Sequence, residues 1–118
     1  MIFIVDDQQA VLDAVTDILQ LIELEGLTVD TAASARRTFA QKQNEIQLIL
    51  LDLTLPDEPG EALLDFFTAE RPDIPVVIMS GYSRASLATR PELAAAADVL
   101  EKPFRLDELL RIVQANIK

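Results

Sequence analysis

Three short runs are apolar at every position: Ile2-Phe3-Ile4-Val5, Leu48-Ile49-Leu50-Leu51 and Val76-Val77-Ile78-Met79. Each is too short for a helix, and unbroken apolarity of this kind suits a strand covered on both faces. Leu27-Thr28-Val29-Asp30-Thr31 alternates instead, as a strand nearer a sheet edge does, and Asp98-Val99-Leu100 is a weaker fifth strand. Helical stripes lie between these runs. Leu12, Val15, Leu19 and Ile22 recur at three- and four-residue steps, which predicts a helix from Gln9 to Glu25 with Gly26 as its stop. Ser34 is placed to N-cap a second helix through Phe39 and Ala40. Leu63, Phe66 and Phe67 mark a third, ended by Arg71-Pro72, and Leu106, Leu109, Leu110, Val113 and Ile117 mark the last. From Arg84 to Ala97 the chain is Ala-rich, but Pro91 inside it predicts a short or broken helix.

Strand–helix alternation repeated five times predicts an α/β domain over 1–118: a flavodoxin-like five-stranded parallel sheet, order 2-1-3-4-5, with helices on both faces. No linker or low-complexity tract divides it. Ligands of such sheets bind beyond the carboxyl ends of the strands, at the switch point between strands 1 and 3.

Composition narrows the chemistry. The 118 residues include no Cys and no His, which excludes Cys or His nucleophiles, Ser-His-Asp triads and structural zinc fingers. Ten basic against twenty acidic residues give a formal charge of −10. Such a surface repels phosphate backbones and anionic headgroups, so neither nucleic acid nor membrane is an expected partner. No apolar run is long enough to span a bilayer and no signal peptide is evident, so the expected setting is cytoplasmic.

The predicted binding edge collects the candidate residues. Strand 1 runs into Asp6-Asp7, strand 3 into Asp52, strand 4 into Ser80-Gly81 and strand 5 into Lys102-Pro103. Each has an ordinary reading alone: the acids as helix caps or turn starters, Ser80-Gly81 as a turn, Lys102 as a solvated loop residue. Together they place three carboxylates, a hydroxyl and an ammonium on one pocket. Two carboxylates about 4 Å apart repel by about 4 kcal/mol at an effective dielectric near 20. Either one is protonated or a cation is held, and an all-oxygen set with room for waters suits Mg²⁺.

The series Val5-Asp6-Asp7, Leu51-Asp52-Leu53-Thr54-Leu55-Pro56, Met79-Ser80-Gly81 and Lys102-Pro103-Phe104 resembles the receiver domain of two-component response regulators, across essentially the whole chain and in order. The resemblance implies that Asp52 is the phospho-acceptor, supplied by a histidine kinase or a histidine phosphotransfer domain. It implies that Asp7, Asp52 and the Thr54 carbonyl bind Mg²⁺, with Asp6 acting through water. Ser80 would hydrogen-bond the phosphoryl group, Lys102 would pair with it, and the bond before Pro103 would be cis, aiming the lysine. Such a domain is a phospho-acceptor and not an enzyme in its own right, with at most intrinsic self-phosphorylation and self-dephosphorylation. The start of helix 1 and the loop after strand 5 would grip the partner, on Ala10, Val11, Ala14, Pro103 and Phe104. The Ser80-Gly81-Tyr82-Ser83 and Lys102-Pro103-Phe104 wording is similar to receivers of hybrid sensor histidine kinases.

Three positions depart from that pattern. Val99 stands three residues before the lysine, where the family usually carries a Tyr or Phe that rotates on phosphorylation. Gln8 replaces a frequent third acid, and Pro91 interrupts helix 4. These favour an altered output, and they mark the competing reading: a pseudo-receiver that serves as a phosphorylation-independent interaction module. A phosphatase or phosphomutase is disfavoured, because Thr54 occupies the position where such enzymes carry a second acid.

Overall fold

The computed structural model describes residues 1–117. Five strands, β1 (Ile2–Val5), β2 (Gly26–Val29), β3 (Leu48–Asp52), β4 (Val76–Ser80) and β5 (Asp98–Glu101), form one parallel sheet in the order β2-β1-β3-β4-β5. Helices α1 (Gln9–Leu21), α2 (Ala32–Lys42), α3 (Gly60–Glu70), α4 (Arg84–Leu87) and α5 (Leu106–Asn116) connect and follow them. No helix among the described residues is long and apolar enough to cross a membrane.

The continuous apolar runs are explained by two cores, one on each face of the sheet. Phe3, Val5, Ile49, Leu51, Val76 and Ile78 point to the α2–α3 side, where they meet Phe39, Leu63 and Phe67. The alternate residues Ile2, Ile4, Leu48, Leu50, Val77 and Met79 point to the α1–α5 side and meet Leu12, Val15, Leu19, Leu109 and Val113. Successive strand residues face opposite sides, so a strand covered on both must be apolar throughout. At about 25 cal/mol per Å² of buried apolar surface, each such side chain contributes about 1.5–3 kcal/mol.

Helix termini differ from the sequence expectation in two places. α1 ends at Leu21, with Ile22 as C-cap, and the residue in the left-handed region is Glu23 (φ 59°); Gly26 already belongs to β2. The chain must turn into β2 before Gly26, and the Leu24 N–H bonds the Leu19 carbonyl to close the turn. α2 is capped by Thr31, whose hydroxyl accepts from the Ser34 N–H at 3.1 Å, so Ser34 sits inside the first turn. Pro91 acts as expected: α4 is a single turn, and Pro91–Leu93 forms a separate 3₁₀ turn.

Candidate functional site

Strand pairing builds the site. Val5 of β1 stands beside Leu51 of β3, so the next residues, Asp6 and Asp52, emerge side by side at the carboxyl edge. Asp6 is fully buried, Asp52 is 5% exposed, and Asp7 turns out into solvent. A carboxylate oxygen from each of the three lies within 4.8 Å of the others. Ser80, buried at the end of β4, accepts from the Tyr82 N–H through its hydroxyl at 3.0 Å. Its carbonyl accepts from the Lys102 N–H at 2.6 Å, which pins the β5–α5 loop to β4. The Lys102–Pro103 bond is cis.

The Lys102 ammonium then enters the acidic cluster. Its Nζ donates to Asp6 Oδ2 at 2.6 Å and lies 3.7 Å from Asp52 Oδ1. Asp6 Oδ1 accepts from the Gln8 N–H at 2.9 Å, so both oxygens of Asp6 are engaged. Asp52 Oδ1 accepts from the Thr54 N–H at 3.2 Å. Its other oxygen has no protein partner among the described residues.

One ammonium does not balance three acids. Burial pushes the Asp52 carboxyl from its ordinary 3.8 up to about 6. The Thr54 N–H opposes that rise, the charge of Asp6 adds to it, Lys102 opposes it and Asp7 adds a little. Hard all-oxygen donors with surplus negative charge, open to solvent on the Asp7 side, are the donor set of Mg²⁺, which keeps several waters and takes one or two carboxylates. The residues present therefore fit that ion.

The family model described as "Response regulator receiver domain" matches residues 2–114. This chain belongs to the response regulator receiver domain family. Relatives include the response regulator protein FleR of Pseudomonas aeruginosa, 31% identical over 95% of this chain and 23% of FleR. TodT of Pseudomonas putida is 31% identical over 100% of this chain and 51% of TodT. The crystal structure of the receiver domain of NtrX from Brucella abortus superposes with a TM-score of 0.87 at 31% identity, covering 98% of this chain and 97% of that one. The chain thus spans between about a quarter and about half of the two curated relatives named.

Within this receiver fold the other expected residues fall as follows. Thr54 is exposed in the loop after β3. Ala10, Val11, Ala14, Pro103 and Phe104 do come together, lining with Gln8 and Lys102 a shallow, mostly apolar groove of about 500 Å³ between the start of α1 and the β5–α5 loop. Val11 and Phe104 are half-buried against the α1–α5 core, whereas Ala10 and Ala14 are exposed. Tyr82 is 65% exposed. Val99 is half-buried against the α2–α3 core, and the backbone edge beside it is covered by Arg84. The Arg84 guanidinium donates to the Val99 carbonyl at 2.6 Å and to Asp98 Oδ1 at 2.7 Å, and the Arg84 backbone N–H donates to Glu101 Oε1 at 2.5 Å.

Sequence reasoning passed over Arg84, and it also passed over Asp57, Glu58 and Arg36. Asp57 accepts from the N–H groups of Ala32 and Ala33, and Glu58 pairs with Arg36. These contacts span more than twenty residues of chain, and no local spacing signals them.

Proposed function

We propose that this receiver domain takes a phosphoryl group onto Asp52 from a phosphohistidine of a histidine kinase or histidine phosphotransfer domain, in the cytoplasm. The observation that carries the reading is a buried carboxylate, Asp52, with one oxygen unpartnered, set 3.7 Å from an ammonium and within 4.8 Å of two further acids. Asp6, Asp7, Asp52 and the Thr54 carbonyl would hold Mg²⁺, Asp6 through water because both of its oxygens are already engaged. A bound Mg²⁺ supplies positive charge against the phosphoryl oxygens. The Asp52 oxygen forms the new O–P bond as the P–N bond to the donor imidazole breaks, in line and with little covalent help from the protein. Lys102 offers its ammonium to the arriving phosphoryl group, and the Ser80 hydroxyl, at the rim of the same edge, hydrogen-bonds it. Water later cleaves the acyl phosphate and resets the domain. The groove at Ala10, Val11, Ala14 and Phe104 adjoins Lys102 and is the proposed seat of the donor. The parent chain, read from its Ser80–Ser83 and Lys102–Phe104 wording, is a hybrid sensor histidine kinase; a DNA-binding output module following this domain in the full-length chain would overturn that point.

Incubation with acetyl phosphate and Mg²⁺, followed by intact mass, tests the central claim. One phosphoryl group is expected, lost with chelator and lost in Asp52→Ala. Modification that persists in Asp52→Ala would reassign the acceptor, and none in the wild type would sink the reading.

A further inference from the structure

The loop of residues 53–59 joins Asp52 to α3, and its two ends are tied to each other. Gly60 N–H bonds the Leu53 carbonyl at 2.9 Å, and Thr54 bridges Pro59 as an antiparallel pair. Its tip is tied elsewhere. Asp57 Oδ1 accepts from the Ala32 N–H at 2.8 Å and Oδ2 accepts from the Ala33 N–H at 2.9 Å. Ala32 and Ala33 open α2, so these are two of the N–H groups for which a helix has no internal acceptor. The helix's own N-cap, Thr31, serves only the third, that of Ser34. One residue further along, Glu58 takes Arg36 of α2 in a forked pair, Nη2 to Oε1 at 2.6 Å and Nε to Oε2 at 3.2 Å. The same guanidinium lies 4.7 Å from the ring centre of Phe66 in α3. The two backbone donors hold the Asp57 carboxyl below the usual carboxylate range.

α2 is itself anchored to the core by Ala32, Ala35 and Phe39. A continuous path therefore runs from the core through α2 to the loop tip and back three residues to Thr54. Nothing in the phosphoryl chemistry uses Asp57 or Glu58. We propose that Asp57, supported by Glu58, is a positioning residue: it clamps the 53–59 loop to α2 and so holds the Thr54 carbonyl ready for the metal. The inference rests on the Mg²⁺ site of the preceding reading. An unclamped loop would have to be ordered when the ion binds, and that ordering weakens binding. Residues that orient a metal ligand from outside the coordination shell commonly change affinity by about 10–100-fold, and Asp57 acts through three residues of backbone, so the lower end is expected.

The test is Mg²⁺ binding by calorimetry on the intact chain, with the thermal midpoint of each variant measured beside it. Asp57→Ala is expected to weaken Mg²⁺ about tenfold. Thr31→Ala strips a cap from the same helix without touching the loop; it should lower the midpoint and leave Mg²⁺ affinity within about twofold of wild type. Asp57→Asn removes the charge but keeps an acceptor, and should fall clearly short of the alanine effect. Unchanged affinity in Asp57→Ala would overturn the proposal, as would an equal loss in Asp57→Asn, which would assign the effect to charge alone. Should Asp57→Ala fail to fold, Glu58→Gln replaces it, with a loss of about threefold expected and no loss overturning the proposal. Absence of Mg²⁺ binding by the wild type would instead refute the metal site itself, so the two failures are distinguishable.

Discussion

The acidic cluster makes a stability prediction that can be worked through from one residue. In the metal-free domain Asp52 titrates near 6 rather than at its ordinary 3.8, chiefly because it is buried. Between those two values the native state holds a proton that the unfolded chain has already released. Stability therefore falls as pH rises through that window, and the full cost is present above it. A gap of about two units corresponds to about 3 kcal/mol. Asp52→Asn removes the ionisation and keeps the oxygen that accepts from the Thr54 N–H. At about pH 7 in chelator the variant should be more stable than wild type by about 2–3 kcal/mol, or about 10 °C in Tm for a domain of this size. The two proteins should converge below about pH 3, under both the folded and the unfolded values, where the wild-type carboxyl is protonated in both states. Urea melts followed by far-ultraviolet circular dichroism across that range read the difference directly, because the other carboxylates titrate in both proteins. Mg²⁺ at a hundred times its Kd should then return about 2.7 kcal/mol to the wild type and much less to the variant. A variant no more stable than wild type at neutral pH, or a difference that widens as pH falls, would refute the reasoning.

Other outcomes follow from the same geometry. Lys102→Met leaves the fully buried Asp6 side chain without the ammonium at 2.6 Å, and should cost about 3 kcal/mol at neutral pH; a loss in the urea midpoint equivalent to less than about 1 kcal/mol would show that the pair contributes little to the fold. The same variant should still accept phosphate on Asp52, with the accompanying chemical-shift changes at Ser80 and beyond diminished. Gly60→Ala places a Cβ 2.5 Å from the Leu53 Cα and 2.7 Å from the Asp52 carbonyl oxygen, both backbone atoms that cannot step aside. It should destabilise by at least about 2 kcal/mol and slow phosphorylation by acetyl phosphate, whereas wild-type behaviour on both counts would mean that the loop adjusts freely.

Legibility in the sequence followed how far each signal had to travel along the chain. The strands could be read because two cores demand two apolar faces: Ile2 and Ile4 serve one, Phe3 and Val5 the other. The site could be read for a related reason, since strand polarity alone assigns Asp6, Asp7, Asp52, Ser80 and Lys102 to one edge. Helix ends were less legible. Thr31 and Ser34 are both competent caps, and only the entry of the chain from β2 decides that Thr31 has the extended backbone an N-cap needs. Likewise Gly26 looks like a helix stop, but Glu23 takes the left-handed turn because β2 must begin in register with Ile2. The clamp by Asp57 was not legible at all, because its acceptor geometry exists only after α2 and the β3–α3 loop are brought together.

Composition alone also could not say how one lysine is shared among three acids, and the sharing decides what each acid can do. Asp6 has one oxygen on Lys102 and the other on the Gln8 N–H, so it is saturated by the protein and serves to hold the ammonium in place. Asp7, exposed, is free to meet an incoming ion. Asp52 receives the Thr54 N–H and the more distant approach of Lys102 on the same oxygen. Had Lys102 closed to hydrogen-bonding distance on Asp52, a charge-assisted bond would have stabilised its carboxylate. At 3.7 Å the ammonium is too far to hold the carboxylate in a hydrogen bond. Three chemically identical side chains thus differ in which of their oxygens are already taken, and in the proposed transfer the 2.6 Å contact between Lys102 and Asp6 keeps the ammonium off the second Asp52 oxygen.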